Sequence, residues 1–279
     1  MEIELIDQLS ALGHAPRLAV FRLLMRRYPD SVPAGEIAAA LDLKASTLSA
    51  LLTSLTHAGL ITGTRHGTSR HYTIAMEGVE QMTRDLFLGC CKGRPLVICA
   101  PDPDLPTGEN TMSSGKYNVL FICIGNSARS IIAESVLRHD AGDKFNAYSA
   151  GTKPASEPNP FAMQMLKEAG HDVSALRSKN MDEFVVDGAP KFDFVFTVCD
   201  HAANEECPVW PGQPVSGHWG LPDPAKVEGT DAEKALAFQR TFGAMKNRIS
   251  IFASLPIATL DRTSLQAQVD EIGRSREDV

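Results

Sequence analysis

Residues 118–137 read NVLFICIGNSARSIIAESVL. The run Val119–Cys123 is short, wholly apolar and rich in branched and aromatic side chains, the pattern of a strand covered on both faces. After the turn-forming pair Gly125-Asn126, apolar residues recur at helical spacing from about Ala128. Strand, loop and helix therefore follow one another, with Cys123 at the strand's end and Arg129 and Ser130 at the helix's start. A bare C-x5-R spacing is common by chance, so the context must carry the meaning. A loop of Ile124, Gly125, Asn126, Ser127 and Ala128 leading into a helix N-terminus aims backbone N–H groups at one point, forming a cradle for an anion. The same positive field favours the thiolate of Cys123, the nucleophilic form. Arg129 can grip two oxygens of an oxyanion, Ser130 can hydrogen-bond the sulfur, and Asn126 can brace the loop. The plain alternative is a core cysteine in an α/β turn.

The surrounding chain sets the bounds. With 279 residues, 43% of them hydrophobic, there is material for two packed domains, and global disorder is excluded. No apolar run approaches the ~20 residues of a membrane helix. The start, MEIELIDQLS, has acids where a signal peptide would be basic and then apolar. A cytoplasmic protein with no membrane partner is expected. Six cysteines are too few for a disulfide scaffold of this size, so each is read as chemistry or as core.

The chain divides near residue 100. Ala100–Gly115, APDPDLPTGENTMSSG, has three prolines and two glycines and reads as a linker. Helical periodicity dominates before it, and strand-like and helical runs alternate after it. The expected organisation is a mostly-α winged helix-turn-helix domain at 1–99, a linker at 100–115, an α/β domain with a parallel sheet at 116–256, and a polar, peripheral tail at 257–279.

In the first domain, Leu5, Leu9 and Leu12 mark one helix face, and Leu18, Phe21, Leu24 and Met25 a second helix opened by Pro16. Pro33–Leu41 and Ala45–Ala58 form a helix pair around Asp42-Leu43-Lys44. The second of these turns Leu48, Leu51, Leu52 and Leu55 inward and Ser46, Thr47, Ser49 and Thr53 outward. Strands at Leu60–Thr64 and Arg70–Ile74 flank His66-Gly67-Thr68, and a last helix spans about Met76 to Leu88. This order is that of a winged helix-turn-helix, whose second helix enters the major groove. Lys44, Arg65 and Arg70 are then placed for phosphates, within a 34-residue window, Leu43 to Met76, that holds no Asp or Glu. A small helical module that binds protein is the competing reading. The run LSALGHAPRLAVFRLL…GEIAAALDLKASTLSALLTSLTHAGLI resembles the ArsR-type metalloregulatory repressors. The resemblance implies a homodimer, built through this domain, on operator DNA.

The cysteines fall in two sets of three. Cys90, Cys91 and Cys99, in LGCCKGRPLVIC, offer three thiolates with no histidine nearby. Three soft ligands suit a trigonal thiophilic centre such as As(III) better than zinc, which takes four; ordinary buried cysteine is the alternative. The ArsR resemblance favours an As(III) effector site at this place.

Cys123, Cys199 and Cys207 form the second set. From about Tyr117 to Ser254 the chain resembles the low-molecular-weight tyrosine phosphatase fold and the arsenate reductases built on it. The resemblance implies a general acid in an Asp-Pro loop, here Asp223 in HWGLPDPA, with His218 a weaker neighbour. Phosphotyrosine enzymes of this fold usually follow the Asp-Pro pair with an aromatic residue, whereas Ala225-Lys226 follow here. FDFVFTVCDHAANEECPVWPG adds Cys199 and Cys207, which a phosphatase does not need. A reductase needs electrons, and two thiols supply two. The resemblance then implies reduction of arsenate to arsenite by a relay from Cys123 to Cys199 to Cys207. No bound cofactor is expected, and an external thiol reductant, of thioredoxin type ahead of glutaredoxin or a small thiol, completes the cycle. The polar stretch Asp200–Glu206 suits a mobile loop. A phosphatase fused to a regulator, and a repressor that senses oxyanions with an inactive enzyme domain, stand as alternatives.

Overall fold

The computed structural model describes residues 2–90, 115–186, 188–205, 210 and 212–275. The chain separates into two compact units, Met1–Leu105 and Pro106–Val279. Nearly all of the expected linker lies outside the described residues, as do Cys91, Cys99 and Cys207.

The first unit runs α1 (Glu2–Leu12), α2 (Ala15–Arg27), β1 (Val32–Pro33), α3 (Ala34–Ala40), α4 (Ala45–His57), β2 (Ile61–His66), β3 (Ser69–Ile74) and α5 (Met76–Arg84). Pro16 stands in the first turn of α2, where its missing N–H costs nothing. β2 and β3 form an antiparallel hairpin, and β1 pairs with the far edge of β3. The core gathers Val20, Leu23, Leu24, Ile37, Leu48, Leu52, Leu55, Leu60 and Ile61. Two sequence expectations need correcting here. α1 buries Leu5, Gln8 and Ala11 and leaves Leu9 exposed; α2 buries Val20, Leu23 and Leu24 and leaves Met25 exposed. Each inward face is rotated from the one the apolar residues alone suggest. Helix five also ends early, since a π-helical turn takes over from Asp85 to Cys90.

The second unit holds β4 (Tyr117–Cys123), α6 (Arg129–Ala141), β5 (Phe145–Gly151), α7 (Pro160–Glu168), β6 (Phe194–Thr197), α8 (Asp200–Asn204), β7 (Val215–His218), α9 (Asp231–Ser254) and α10 (Arg262–Arg274). Its four strands are all parallel, in the order β5-β4-β6-β7. β4 is central and buried along nearly its whole length, which explains its unbroken apolar run. Phe121 of β4 joins Phe196, Trp219 and Phe252 in one aromatic cluster, with Phe196 and Trp219 3.9 Å apart in near-parallel planes and Phe252 edge-on to both.

The expected polar tail is instead structural. α10 buries Leu265, Val269 and Ile272 against the sheet, and the Trp219 indole N–H donates to the Val269 carbonyl at 3.2 Å. Apolar residues at i, i+4 and i+7 make a buried stripe even in a polar sequence.

Candidate functional site

The loop after β4 takes its shape from the segment beside it. The carbonyls of Cys123, Ile124, Gly125 and Ser127 accept from the backbone N–H groups of Thr152, Lys153, Ala155 and Asn159, at 2.8–3.1 Å. The remaining carbonyl, of Asn126, accepts from the Ser178 hydroxyl at 2.8 Å. Each carbonyl of residues 123–127 is thus drawn to the outside of the loop. In a trans peptide the following N–H points the opposite way, so the amides turn inward. The Asn126 N–H accordingly donates to the Cys123 sulfur at 3.1 Å.

Asn126 holds this geometry. It is fully buried with a left-handed backbone, φ 42°, a conformation that Asn tolerates better than most residues. Its side-chain amide donates to Ser130 Oγ and Ser149 Oγ, both at 2.8 Å, and its Oδ1 accepts from the Lys179 N–H at 2.7 Å. Ser130 Oγ lies 2.9 Å from Cys123 Sγ. Behind this layer, Ser149 donates to the buried carboxylate of Glu134, which also pairs with Arg138 and, at 2.8 Å, with Lys179 Nζ. Gly151 is fixed by its surroundings: a Cβ there would lie 2.4 Å from the Ile124 carbonyl oxygen. Ser149, Glu134, Lys179 and Gly151 escaped the sequence reading, because nothing local marks them.

Arg129 opens α6 and reaches the expected acid loop. Its guanidinium donates to Asp223 Oδ2 at 2.8 Å and to the Leu221 carbonyl at 3.0 Å. Asp223 itself caps the short turn Pro224–Lys226 by accepting from the Ala225 N–H at 3.2 Å. The structure thus brings Cys123, Arg129, Ser130 and Asp223 to one place at the carboxyl ends of the parallel strands, the position of ligand sites in open α/β sheets.

Cys199 lies at the same end, buried, one residue before α8. Burial and the Cys123 sulfur close by push its pKa up, against the pull of Arg129 and of the N–H groups of Ala202 and Ile124. Ile124 is the first residue of the loop, so its N–H ties Cys199 to the peptide that follows Cys123. The expected loop at Asp200–Glu206 is a helix over its first five residues, where Ala202 and Ala203 turn into the core. Cys123 and Cys199 are both free thiols.

In the first unit, Lys44, Ser46, Thr47, Ser49 and Thr53 are all exposed along α4. The Thr53 hydroxyl is turned back, donating to the Ser49 carbonyl at 2.8 Å. Arg65 and Arg70 are exposed and directly opposite each other in the hairpin. Cys90 is exposed at the end of the π-helical turn.

Comparison with known proteins agrees with this arrangement. A model of the family "Low molecular weight phosphotyrosine protein phosphatase" matches residues 118–268, and one described as "Helix-turn-helix domain" matches residues 12–64. Arsenate reductases of Halalkalibacterium halodurans and Bacillus licheniformis are 42% and 41% identical over 138 residues, half of this chain and 96% of each relative. A solved structure titled "An arsenate reductase in oxidized state" is 25% identical, covering 55% of this chain and 98% of its own, with a TM-score of 0.39. The chain therefore belongs, through its second unit, to the low molecular weight phosphotyrosine protein phosphatase family, among its arsenate reductases, with a helix-turn-helix match in front of it.

Proposed function

We propose that this protein is a bifunctional arsenic-resistance protein: an As(III)-responsive repressor joined to a reductase that converts arsenate to arsenite. The observation that carries the reductase reading is the second buried thiol, Cys199, set against the Ile124 amide beside Cys123. Phosphoester hydrolysis has no use for it.

In this reading the inward amides of residues 125–128 and the Arg129 guanidinium hold the tetrahedral oxyanion. The Cys123 thiolate, bonded by Ser130 and the Asn126 N–H, attacks arsenic, and Asp223 gives a proton to the departing hydroxyl. The Cys199 thiolate then attacks Cys123 Sγ. The As–S bond breaks, its electron pair stays on arsenic, and arsenite leaves as As(V) becomes As(III). The two electrons come from two thiols, leaving a Cys123–Cys199 disulfide. Cys207 attacks Cys199 in turn, which frees Cys123, and an external dithiol of thioredoxin type reduces the Cys199–Cys207 disulfide.

The first unit serves as the sensor. The outward face of α4 enters the major groove, and Lys44, Arg65 and Arg70 meet phosphates. Ile6 and Leu9, exposed on α1, support a homodimer through this unit. As(III) bound by Cys90, Cys91 and Cys99 releases operator DNA, so arsenate acts only after reduction. The linking experiment is arsenite release from arsenate with thioredoxin. Wild type should turn over, while Cys123→Ser and Cys199→Ser should not; full turnover by Cys199→Ser would replace the intramolecular relay by direct attack of the external thiol on Cys123.

A further inference from the structure

His218 ends β7 and pairs in register with Thr197 at the end of β6. Its ring is buried, and its two nitrogens reach the two flanks of Cys199. Nδ1 lies 2.8 Å from Thr197 Oγ1, two residues before the cysteine, and Nε2 lies 3.1 Å from Asp200 Oδ1, one residue after it. A carboxylate only accepts, so Nε2 carries the proton and Nδ1 accepts from the threonine hydroxyl. This fixes the tautomer. Gly220 leaves the space the contact needs, because a Cβ there would lie 2.6 Å from His218 Nε2 and 2.7 Å from Asp200 Oδ1.

The same short segment carries the anion-side groups. Two residues after Gly220's neighbour Leu221, whose carbonyl takes the Arg129 guanidinium, comes Asp223. Leu221 also donates its N–H to the Val198 carbonyl at 3.4 Å, immediately before Cys199. One stretch, His218–Asp223, therefore touches the oxyanion clamp and both sides of the second thiol. α8 is only five residues long, too short to hold a fixed position by its own hydrogen bonds, so its seat depends on the buried Ala202 and Ala203 and on such ties at its start.

Resting on the reductase reading above, we infer that His218 is a positioning residue: by bonding Thr197 and Asp200 it holds the Cys199 sulfur in line with Cys123 for disulfide formation. It neither touches the oxyanion nor donates the proton that Asp223 supplies. Its loss leaves the anion loop intact and misplaces the attacking sulfur. A small misplacement of a reacting group costs one to two orders of magnitude in rate.

The test uses the full chain carrying Cys207→Ser, so that the first disulfide accumulates. One equivalent of arsenate is added, and the Cys123–Cys199 disulfide and free arsenite are followed by rapid quench and mass spectrometry. In parallel, the protection of Cys123 from iodoacetamide by inorganic phosphate reports the anion loop alone. His218→Ala should slow disulfide formation about tenfold or more, with phosphate protection unchanged. His218→Gln, whose amide can donate to Asp200 and accept from Thr197, should recover most of the rate. Asp200→Ala, at the exposed side of the contact, should slow the step without touching the buried ring, and it stands in if His218→Ala fails to fold. Unchanged rates in both alanine variants, or equal losses of rate and phosphate protection, overturn the positioning role. No disulfide in the Cys207→Ser parent overturns the reductase reading, and the positioning role with it.

Discussion

The Arg129 guanidinium is shared between the Asp223 carboxylate, at 2.8 Å, and the Leu221 carbonyl, at 3.0 Å. Two donors of one rigid fork thus tie the loop that carries the acid to the first residue of the helix behind the nucleophile. In the proposed reading an arriving oxyanion competes with Asp223 for this fork, and binding and release of the acid are then linked in one exchange of partners.

This exchange makes the first prediction. Arg129→Lys should weaken arsenate far more than its unchanged charge suggests, since an ammonium cannot serve two oxygens in one plane. Asp223→Asn should bind arsenate at least as well as wild type and lose about 10²-fold or more in turnover, the usual contribution of a positioned acid. Steady-state KM and kcat separate the two. Equal loss of kcat and binding in Asp223→Asn would remove the acid from the scheme.

Cys199 gives the second. Its raised pKa means a smaller thiolate fraction at neutral pH than an ordinary cysteine would have. Single-turnover arsenite release should therefore keep rising above the pH where a free thiol levels off, about tenfold per unit below the Cys199 pKa. Because the folded state holds this proton more tightly than the unfolded chain does, the matching stability is present below the unfolded pKa and fades as pH rises through the folded one. A flat profile from neutral to alkaline pH would contradict the assignment of Cys199 as the attacking group.

The buried pair Lys179–Glu134, 2.8 Å apart with both side chains under a tenth exposed, gives the third. Removing the carboxylate strands the Lys179 ammonium, at a cost of about 3–5 kcal/mol, whereas removing the ammonium leaves Glu134 with Arg138 and Ser149. Glu134→Gln should lower the denaturation midpoint of the second unit sharply, and Lys179→Met should lower it by less. The double variant Lys179→Met/Glu134→Gln should be less destabilised than the sum of its parts, although Arg138 then loses its carboxylate. Additive losses in a double-mutant cycle would show that the pair is uncoupled.

A fourth prediction concerns DNA. Arg65→Ala/Arg70→Ala should weaken binding to all sequences by similar factors and flatten the salt dependence by about two in log–log slope. The measurement is a binding isotherm on specific and random duplex at several salt concentrations. An unchanged slope would take the hairpin off the phosphate backbone.

The placement of these residues shows what a sequence carries by itself. Cys123, Arg129 and Ser130 could be set side by side from their local context, because a strand, a tight loop and a helix bring them together within eight residues. Asn126 could be read as a brace of the loop, but its partners Ser149 and Lys179, and Glu134 behind them, could not. They meet only after two crossovers lay β5 and the segment around 178 against the loop, and no periodicity records a contact across 53 residues. α10 was concealed differently. Its three buried apolar residues sit among polar neighbours, so composition read as a tail what spacing marks as a helix face. The helix at Asp200–Asn204 is shorter than any period can reveal.

The outward anchoring of all five carbonyls in residues 123–127 has a consequence for selectivity. A loop so tied has its amides oriented once, at folding, and has little freedom to adjust to one guest over another. In the proposed reading it recognises a tetrahedral oxyanion by size and charge alone, and arsenate and phosphate share both. Phosphate is then a standing competitor for the cradle, and choice between the two passes to the next step. Attack of the nearby thiolate on Cys123 Sγ expels arsenite from a Cys123–arsenic adduct, because arsenic accepts the electron pair, and fails on a Cys123–phosphorus adduct, because phosphorus does not. Discrimination is kinetic, and it resides in a sulfur that never has to touch the oxyanion.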